Sequence, residues 1–332
     1  MASQKIKIGK SSAKLIDYLK IARFDHSTKH IFILPGMVLA YLLRGVNSQS
    51  LILNIGLGLI TLISIASANY VINEYLDRDF DKYHPTKSQR SAVQVELNGK
   101  LVFLEWIIFV SIGLSAAYLS SFAMLFTAII FALQGIVYNV PPIRSKDKPF
   151  IDVISESINN PLRLMIGWAM IDPTSFPPIS VLLSYYLGGA FLMAAKRLSE
   201  YREIVELHGK ELLVRYRASF EGYTEIKLTV SCFVYAMLSS FFLAIFLIKY
   251  RIEYIILIPW ITILFGYYLA LSMRPGSSAQ KPEQLFKEYT LMIIVFILAA
   301  AFFLTTFIDI PFLNNFTEQK YIDISIVNFN DQ

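Results

Sequence analysis

Charge is scarce in this chain and cysteine almost absent. Only 17% of its 332 residues are Asp, Glu, Lys or Arg, against 55% hydrophobic residues that include 25 Phe. Soluble domains carry about a quarter charged residues, so a soluble globular domain is excluded and a polytopic membrane protein is implied, as the mean hydropathy of +0.52 agrees. The single cysteine, Cys232, lies inside an apolar run, which excludes a disulfide framework. No inverted repeat is visible, which argues against a repeat-built transporter. The first thirty residues are basic and polar rather than a short apolar run ending in small residues, so no cleavable leader is expected. The net charge of +5 calls for no nucleic acid, because basic loops facing anionic lipid account for it.

What is present is a series of long apolar segments, at 31–44 (extended backwards by an amphipathic 13–30), 51–75, 101–118, 122–140, 150–170, 178–195, 228–248, 254–272 and 289–309. Most approach the ~20 residues that a bilayer requires. They predict an all-α bundle of about nine transmembrane helices. Residues 1–30 are expected to form an interfacial segment, 31–309 the catalytic unit and 310–332 a tail on the opposite side. With these spans imposed, 25 Lys and Arg fall on the N-terminal side and 4 on the other, with Arg163 inside a helix. The asymmetry predicts a cell-membrane protein whose N-terminus and polar loops are cytoplasmic. Gly56, Gly58, Ser64, Ala66, Ser67 and Ala68 should let the second helix approach its neighbours closely.

The most informative stretch is ANYVINEYLDRDFDKYHPTKSQR, residues 68–90. On a helix, Asn73, Asp77 and Asp81 each follow the last by about 40° of rotation, so one face carries an amide and two carboxylates. Hard oxygen donors in a row suit Mg²⁺, which takes one or two carboxylates and completes its shell with water and substrate phosphates. His84, Lys87 and Arg90 follow closely and are cations placed to hold phosphate oxygens. Since Asn73 continues an apolar helix, where polar groups are costly, a functional site is favoured over a solvated loop.

Two further polar clusters emerge on the same side. Lys146 lies in a short loop after Pro141 and Pro142. Asp152, Glu156, Asn159, Asn160 and Arg163 then enter the fifth apolar segment, where lipid exposure would be costly, so they should face an internal cavity. A salt-bridge network locking two helices is the competing reading for Asp152 and Glu156. At the end of the sixth segment Lys196, Arg197, Glu200 and Glu203 share neighbouring faces, and solvated i,i+4 ion pairs remain the alternative there. Lys29 and Arg23, before the first span, either face the site or anchor the chain at the headgroups.

The motif Asn73-x3-Asp77-x3-Asp81 at the end of the second of nine helices resembles the UbiA superfamily of intramembrane prenyltransferases, over roughly residues 15–305. NEYLDRDFDKYHPTKSQR and AAKRLSEYRE are similar to the decaprenyl-phosphate phosphoribosyltransferase branch, as are FID at 150–152 and PLRLMIGW at 161–168. Asn73, Asp77, Asp81, His84, Pro85, Lys87, Arg90, Lys146, Asp152, Arg163, Lys196, Arg197 and Glu200 match that branch. Glu74, Asp79 and Ser91 depart from it, standing where the branch has Asp, Glu and Pro. The resemblance implies a Mg²⁺-dependent transferase with a phosphorylated sugar or prenyl diphosphate as donor and a polyprenyl lipid as acceptor, compatible with a homo-oligomer. It implies metal ligation by Asn73, Asp77 and Asp81, and diphosphate binding by Lys87, Arg90 and Lys146. Lys196 and Arg197 would hold a ribose 5-phosphate, and Asp152 would stand near the sugar hydroxyls. Where typical prenyltransferases of the superfamily carry a second aspartate-rich motif, this chain has KRLSE.

Overall fold

The computed structural model describes residues 11–280 and 282–316. In chain order the helices are α1 (Leu15–Ile21), α2 (Leu34–Arg44), α3 (Leu51–Asp81), α4 (Ser91–Gln94), α5 (Gly99–Ser120), α6 (Phe122–Asn139), α7 (Ile151–Ser157), α8 (Asn159–Ile171), α9 (Ile179–His208), α10 (Lys210–Tyr216), α11 (Glu225–Tyr250), α12 (Leu257–Ser272) and α13 (Tyr289–Phe307). The only extended pairing among the described residues is a two-residue parallel bridge of Ser11–Ser12 with Val95–Glu96.

Seven helical spans among the described residues, one of them α12 together with the 3-10 turn Ile252–Ile256 before it, are long and apolar enough to cross a membrane, against the nine expected. The two shortfalls share a cause. The first segment yields only the 11-residue α2, preceded by a 3-10 stretch, Phe24–Ile33, that starts where Arg23 takes a left-handed backbone conformation. The fifth is divided at Ile158 into α7 and α8, where polar side chains crowd the chain. Residues 1–10 and 317–332, and with them most of the expected tail, lie outside the described residues.

Local chemistry sets the ends. Asn98, Ser121 and Thr224 cap α5, α6 and α11 by accepting from backbone N–H groups two or three residues on. Pro141 and Pro142 stop α6, since proline offers no N–H and clashes with the preceding turn. Gly209, at φ +79°, ends α9 in a region open to glycine. α3 runs six residues past the expected 75, carrying Asp77 and Asp81 on the same helix as Asn73.

One half of the bundle packs α3, α5, α6 and α8 around Leu62, Ile65, Met124, Phe131 and Met170. The other packs α9, α11 and α12 around Phe191, Leu198, Leu228 and Tyr268. α2 and α8 touch backbone to backbone: a Cβ on Gly36 would stand 2.0 Å from the Leu164 carbonyl oxygen, and one on Gly167 would stand 2.1 Å from that of Ile33. Gly58 packs on Met170 and Met124 in the manner expected, whereas Gly56 meets nothing. The segment 210–222, between the sixth and seventh apolar segments, folds as α10 and a 3-10 turn, Ala218–Gly222, and forms a cap against the end of α9.

Candidate active site

Between the two halves lies a cavity of about 620 Å³. Its walls include Asn73, Asp77, His84, Lys87, Arg90, Lys146, Arg163, Lys196, Arg197 and Glu200, ten of the residues singled out from sequence, together with Arg23. Asp81 and Asp152 are buried behind the wall instead, and the side chain of Lys29 is outside the described residues.

α3 supplies the acidic wall. Asn73 Nδ2 donates to Asn139 Oδ1 at 2.6 Å and to Asp77 Oδ2 at 3.3 Å, so its carbonyl oxygen is the atom left for another ligand. Asp77 Oδ1 is met by Lys146 Nζ at 2.5 Å and Arg144 Nη2 at 2.8 Å. One turn on, the helix has rotated Asp81 away from the cavity. Arg90 Nη1 lies 2.7 Å from its Oδ2, and Glu74 takes Arg90 Nε at 3.4 Å and Arg23 Nη1 at 3.1 Å. Asp81 and Glu74 thus fix two arginines that reach the wall. Burial pushes the Lys146 ammonium down to about 8, against the pull of Asp77, and lowers Lys87 as well.

His84 follows the helix end. Its Nδ1 accepts from the backbone N–H groups of Thr86 (3.2 Å) and Lys87 (3.3 Å), so Nε2 carries the proton and faces Glu200 Oε1 at 3.5 Å. Burial lowers its pKa, against the hydrogen bond to Glu200. The Tyr216 ring lies tilted against it, with 4.5 Å between ring centres.

The opposite wall, at the exit of α9, is organised around Arg197, only 2% exposed. Its Nε donates to Asp152 (3.1 Å), Nη2 to Glu156 (3.0 Å) and Nη1 to Glu200 (3.4 Å). Three carboxylates surround one guanidinium, which is the networked arrangement that sequence reading held open for Asp152 and Glu156. Asp152 also accepts from Tyr223 Oη (2.5 Å) and Ser219 Oγ (3.1 Å), so its oxygens are engaged by the cap rather than directed at the cavity. Arg163, on α8, lies 5.5 Å from the Phe131 ring centre.

Sequence reasoning missed Arg217, Tyr138 and Asn139, all on the cavity wall. Asn139 immediately precedes the stop of α6, and Arg217 sits in a run, VRYRASFEGY, whose alternating aromatic and hydroxyl residues were the available signal.

The hard-oxygen donors of Asn73 and Asp77 fit Mg²⁺ held jointly with substrate phosphates, since that ion is bound by few protein carboxylates. An all-protein cage is not in evidence: no group of three His, Cys, Asp or Glu side chains is so clustered among the described residues.

Comparison with known proteins bears on the family and the fold. Residues 31–297 match the model of the UbiA prenyltransferase family. A curated protoheme IX farnesyltransferase of Geobacillus sp. (strain WCH70) is 27% identical over 140 residues, 40% of this chain and 43% of that protein, so the match spans less than half of the relative's length. A UbiA homolog from Archaeoglobus fulgidus solved with GPP and Mg²⁺ superposes with a TM-score of 0.65 at 20% identity, covering 88% of this chain and all of the other. A digeranylgeranylglyceryl phosphate synthase structure superposes at 0.61, with 18% identity over 88% of this chain and 98% of that one. At these identities the structural likeness speaks for the fold.

Proposed function

The chain belongs to the UbiA prenyltransferase family, and on that premise we propose that it moves a 5-phosphoribosyl group from 5-phosphoribosyl diphosphate to a polyprenyl phosphate, releasing pyrophosphate. It is an integral membrane transferase of the UbiA type acting on diphosphate substrates. One observation carries the finer reading. At the exit of α9 the carboxylates Glu156 and Glu200 are already engaged by Arg197, while Lys196 and Arg217 stand on the wall. That wall offers cations, not a second set of metal-binding acids, which suits a donor with a second phosphate remote from its diphosphate.

In this reading Asn73 and Asp77 would hold Mg²⁺, which would supply charge neutralisation at the diphosphate. Lys146, Lys87 and Arg90 bind phosphate oxygens by charge-assisted hydrogen bonds and stabilise negative charge as the C–O bond breaks. Asp81 and Glu74 act behind them by holding Arg90 and Arg23 in place. The acceptor phosphate is anionic at neutral pH, so no strong general base is required. The lipid chain would lie along the apolar wall of Phe32, Phe131, Leu192, Met193 and Leu285. The excess of Lys and Arg in the loops on this side supports a cavity that opens to the cytoplasm.

A second reading is prenyl transfer from a prenyl diphosphate to an aromatic or other lipid acceptor. It is favoured by that same apolar wall, which accommodates a prenyl tail equally well, and by the GPP-bound homolog. Purified protein given labelled 5-phosphoribosyl diphosphate with polyprenyl phosphate, beside prenyl diphosphate with an aromatic acid, separates the two. Label entering lipid only from the ribosyl donor supports the first reading, and label from the prenyl donor alone sinks it.

A further inference from the structure

Arg217 joins α10 to the following turn and reaches the cavity wall. Its guanidinium is under-used. Nη2 donates to Tyr138 Oη at 2.7 Å, yet Nε is buried with no hydrogen-bond partner among the described residues. Its carboxylate neighbours stand beyond hydrogen-bonding distance, Asp152 Oδ2 at 3.7 Å from Nε and Glu156 Oε2 at 3.9 Å from Nη2. Buried guanidinium donors are normally satisfied.

The charges around it explain what is missing. Asp152, Glu156 and Glu200 face Arg197, Lys196 and Arg217, and each carboxylate is already bonded: Asp152 to Tyr223, Ser219 and Arg197, Glu156 to Tyr138 and Arg197, Glu200 to Tyr216 and Arg197. The acceptors here are spoken for, whereas Arg217 makes one hydrogen bond, to Tyr138, and leaves Nε without one. Nor is Arg217 left to drift. Ser219 and Tyr223 tie the cap to Asp152, and Lys210 Nζ donates to the carbonyls of Glu221 and Tyr223 at 2.9 Å each. A guanidinium fixed in this way on the cavity wall, with donor capacity still unfilled, suits a phosphate.

We propose that Arg217, held in place by a cap latched on Asp152, binds the donor's phosphate remote from the diphosphate. This rests on the phosphoribosyl reading, in which that group is the 5-phosphate. It assigns to Arg217 a task that the three carboxylates around Arg197 deny to that residue.

The test is calorimetry on the full-length protein in nanodiscs, with 5-phosphoribosyl diphosphate and, separately, pyrophosphate with Mg²⁺. Arg217→Ala should weaken binding of the sugar donor about ten- to a hundredfold, as loss of one charge-assisted contact does, and leave pyrophosphate binding unchanged. Arg217→Gln keeps the side-chain stem while Ser219 and Tyr223 still latch Asp152, and it should show the same pattern should the alanine variant not fold. Equal weakening of both ligands, or of neither, overturns the assignment to Arg217 alone. Wild-type protein that fails to bind the sugar donor while binding pyrophosphate overturns the phosphoribosyl reading and this inference with it.

Discussion

Lys146 Nζ lies 2.5 Å from Asp77 Oδ1, and both groups are on the cavity wall. A buried ammonium beside the one carboxylate of α3 that reaches the cavity marks where an incoming diphosphate must exchange partners with the protein. Asp77→Asn removes the charge that would hold a metal while keeping the side chain's size. Turnover should be abolished, with insertion and purification normal. Near wild-type rates in Mg²⁺ would remove Asp77 from the metal site.

The same pair sets a pH dependence. With its pKa lowered to about 8, Lys146 is charged below that pH and loses its proton above it. In metal-free buffer, wild-type affinity for pyrophosphate should therefore fall above pH 8 relative to that of a Lys146→Arg variant. Lys146→Arg should flatten the alkaline limb, since a guanidinium stays charged throughout. An unchanged limb in that variant would assign the titration to another group.

Arg197 poses a stability question. Replacing it with Ala leaves Asp152, Glu156 and Glu200 without their common partner, and an unpaired buried charge costs about 3–5 kcal/mol. Arg197→Ala should unfold at a markedly lower temperature in detergent, whereas Arg217→Ala should shift the midpoint far less. Similar midpoints for the two would show that the carboxylates find other partners.

Close packing reaches the cavity through Gly189. A Cβ there would stand 2.0 Å from Asn160 Nδ2, and Asn160 lines the cavity. Overpacking of this kind costs about 1–3 kcal/mol, so Gly189→Ala should lower stability and raise KM together. A Gly189→Ala, Asn160→Ala double variant should recover the stability and not the KM.

Orientation is tested by labelling. Cys232 is the only cysteine and is buried, so single reporters are readily introduced. Cysteines at Gln89, Lys148 and His208 should react from the cytoplasmic side, and those at Asn47 and Asp309 from the other. Reaction of Lys148 and Asp309 positions from one side would refute the charge-based topology.

The long apolar runs were legible because length and hydropathy are local properties, and α5, α6, α11 and α13 fall within three residues of their expected ends. The Asn73 and Asp77 pair was legible from helical spacing for the same reason. Asp81 shows the limit of that spacing: an 80° rotation from Asn73 is small on a helical wheel, but it is enough to turn the carboxylate toward Arg90. Arg217 was hidden because its place depends on Tyr223, Ser219 and Asp152 meeting across 71 and 67 positions of sequence. Periodicity carries no information about contacts at such separations.

α9 has 30 residues and is therefore about 45 Å long, against a hydrocarbon layer of about 30 Å. Some ten residues must emerge into water, and Lys196 to Glu203 lie near the point of exit. The groups proposed to hold the donor thus stand at a phase boundary. In the proposed reaction a water-soluble phosphate ester would arrive from one side and a lipid from within the leaflet, and neither would have to leave its own solvent for the bond to form.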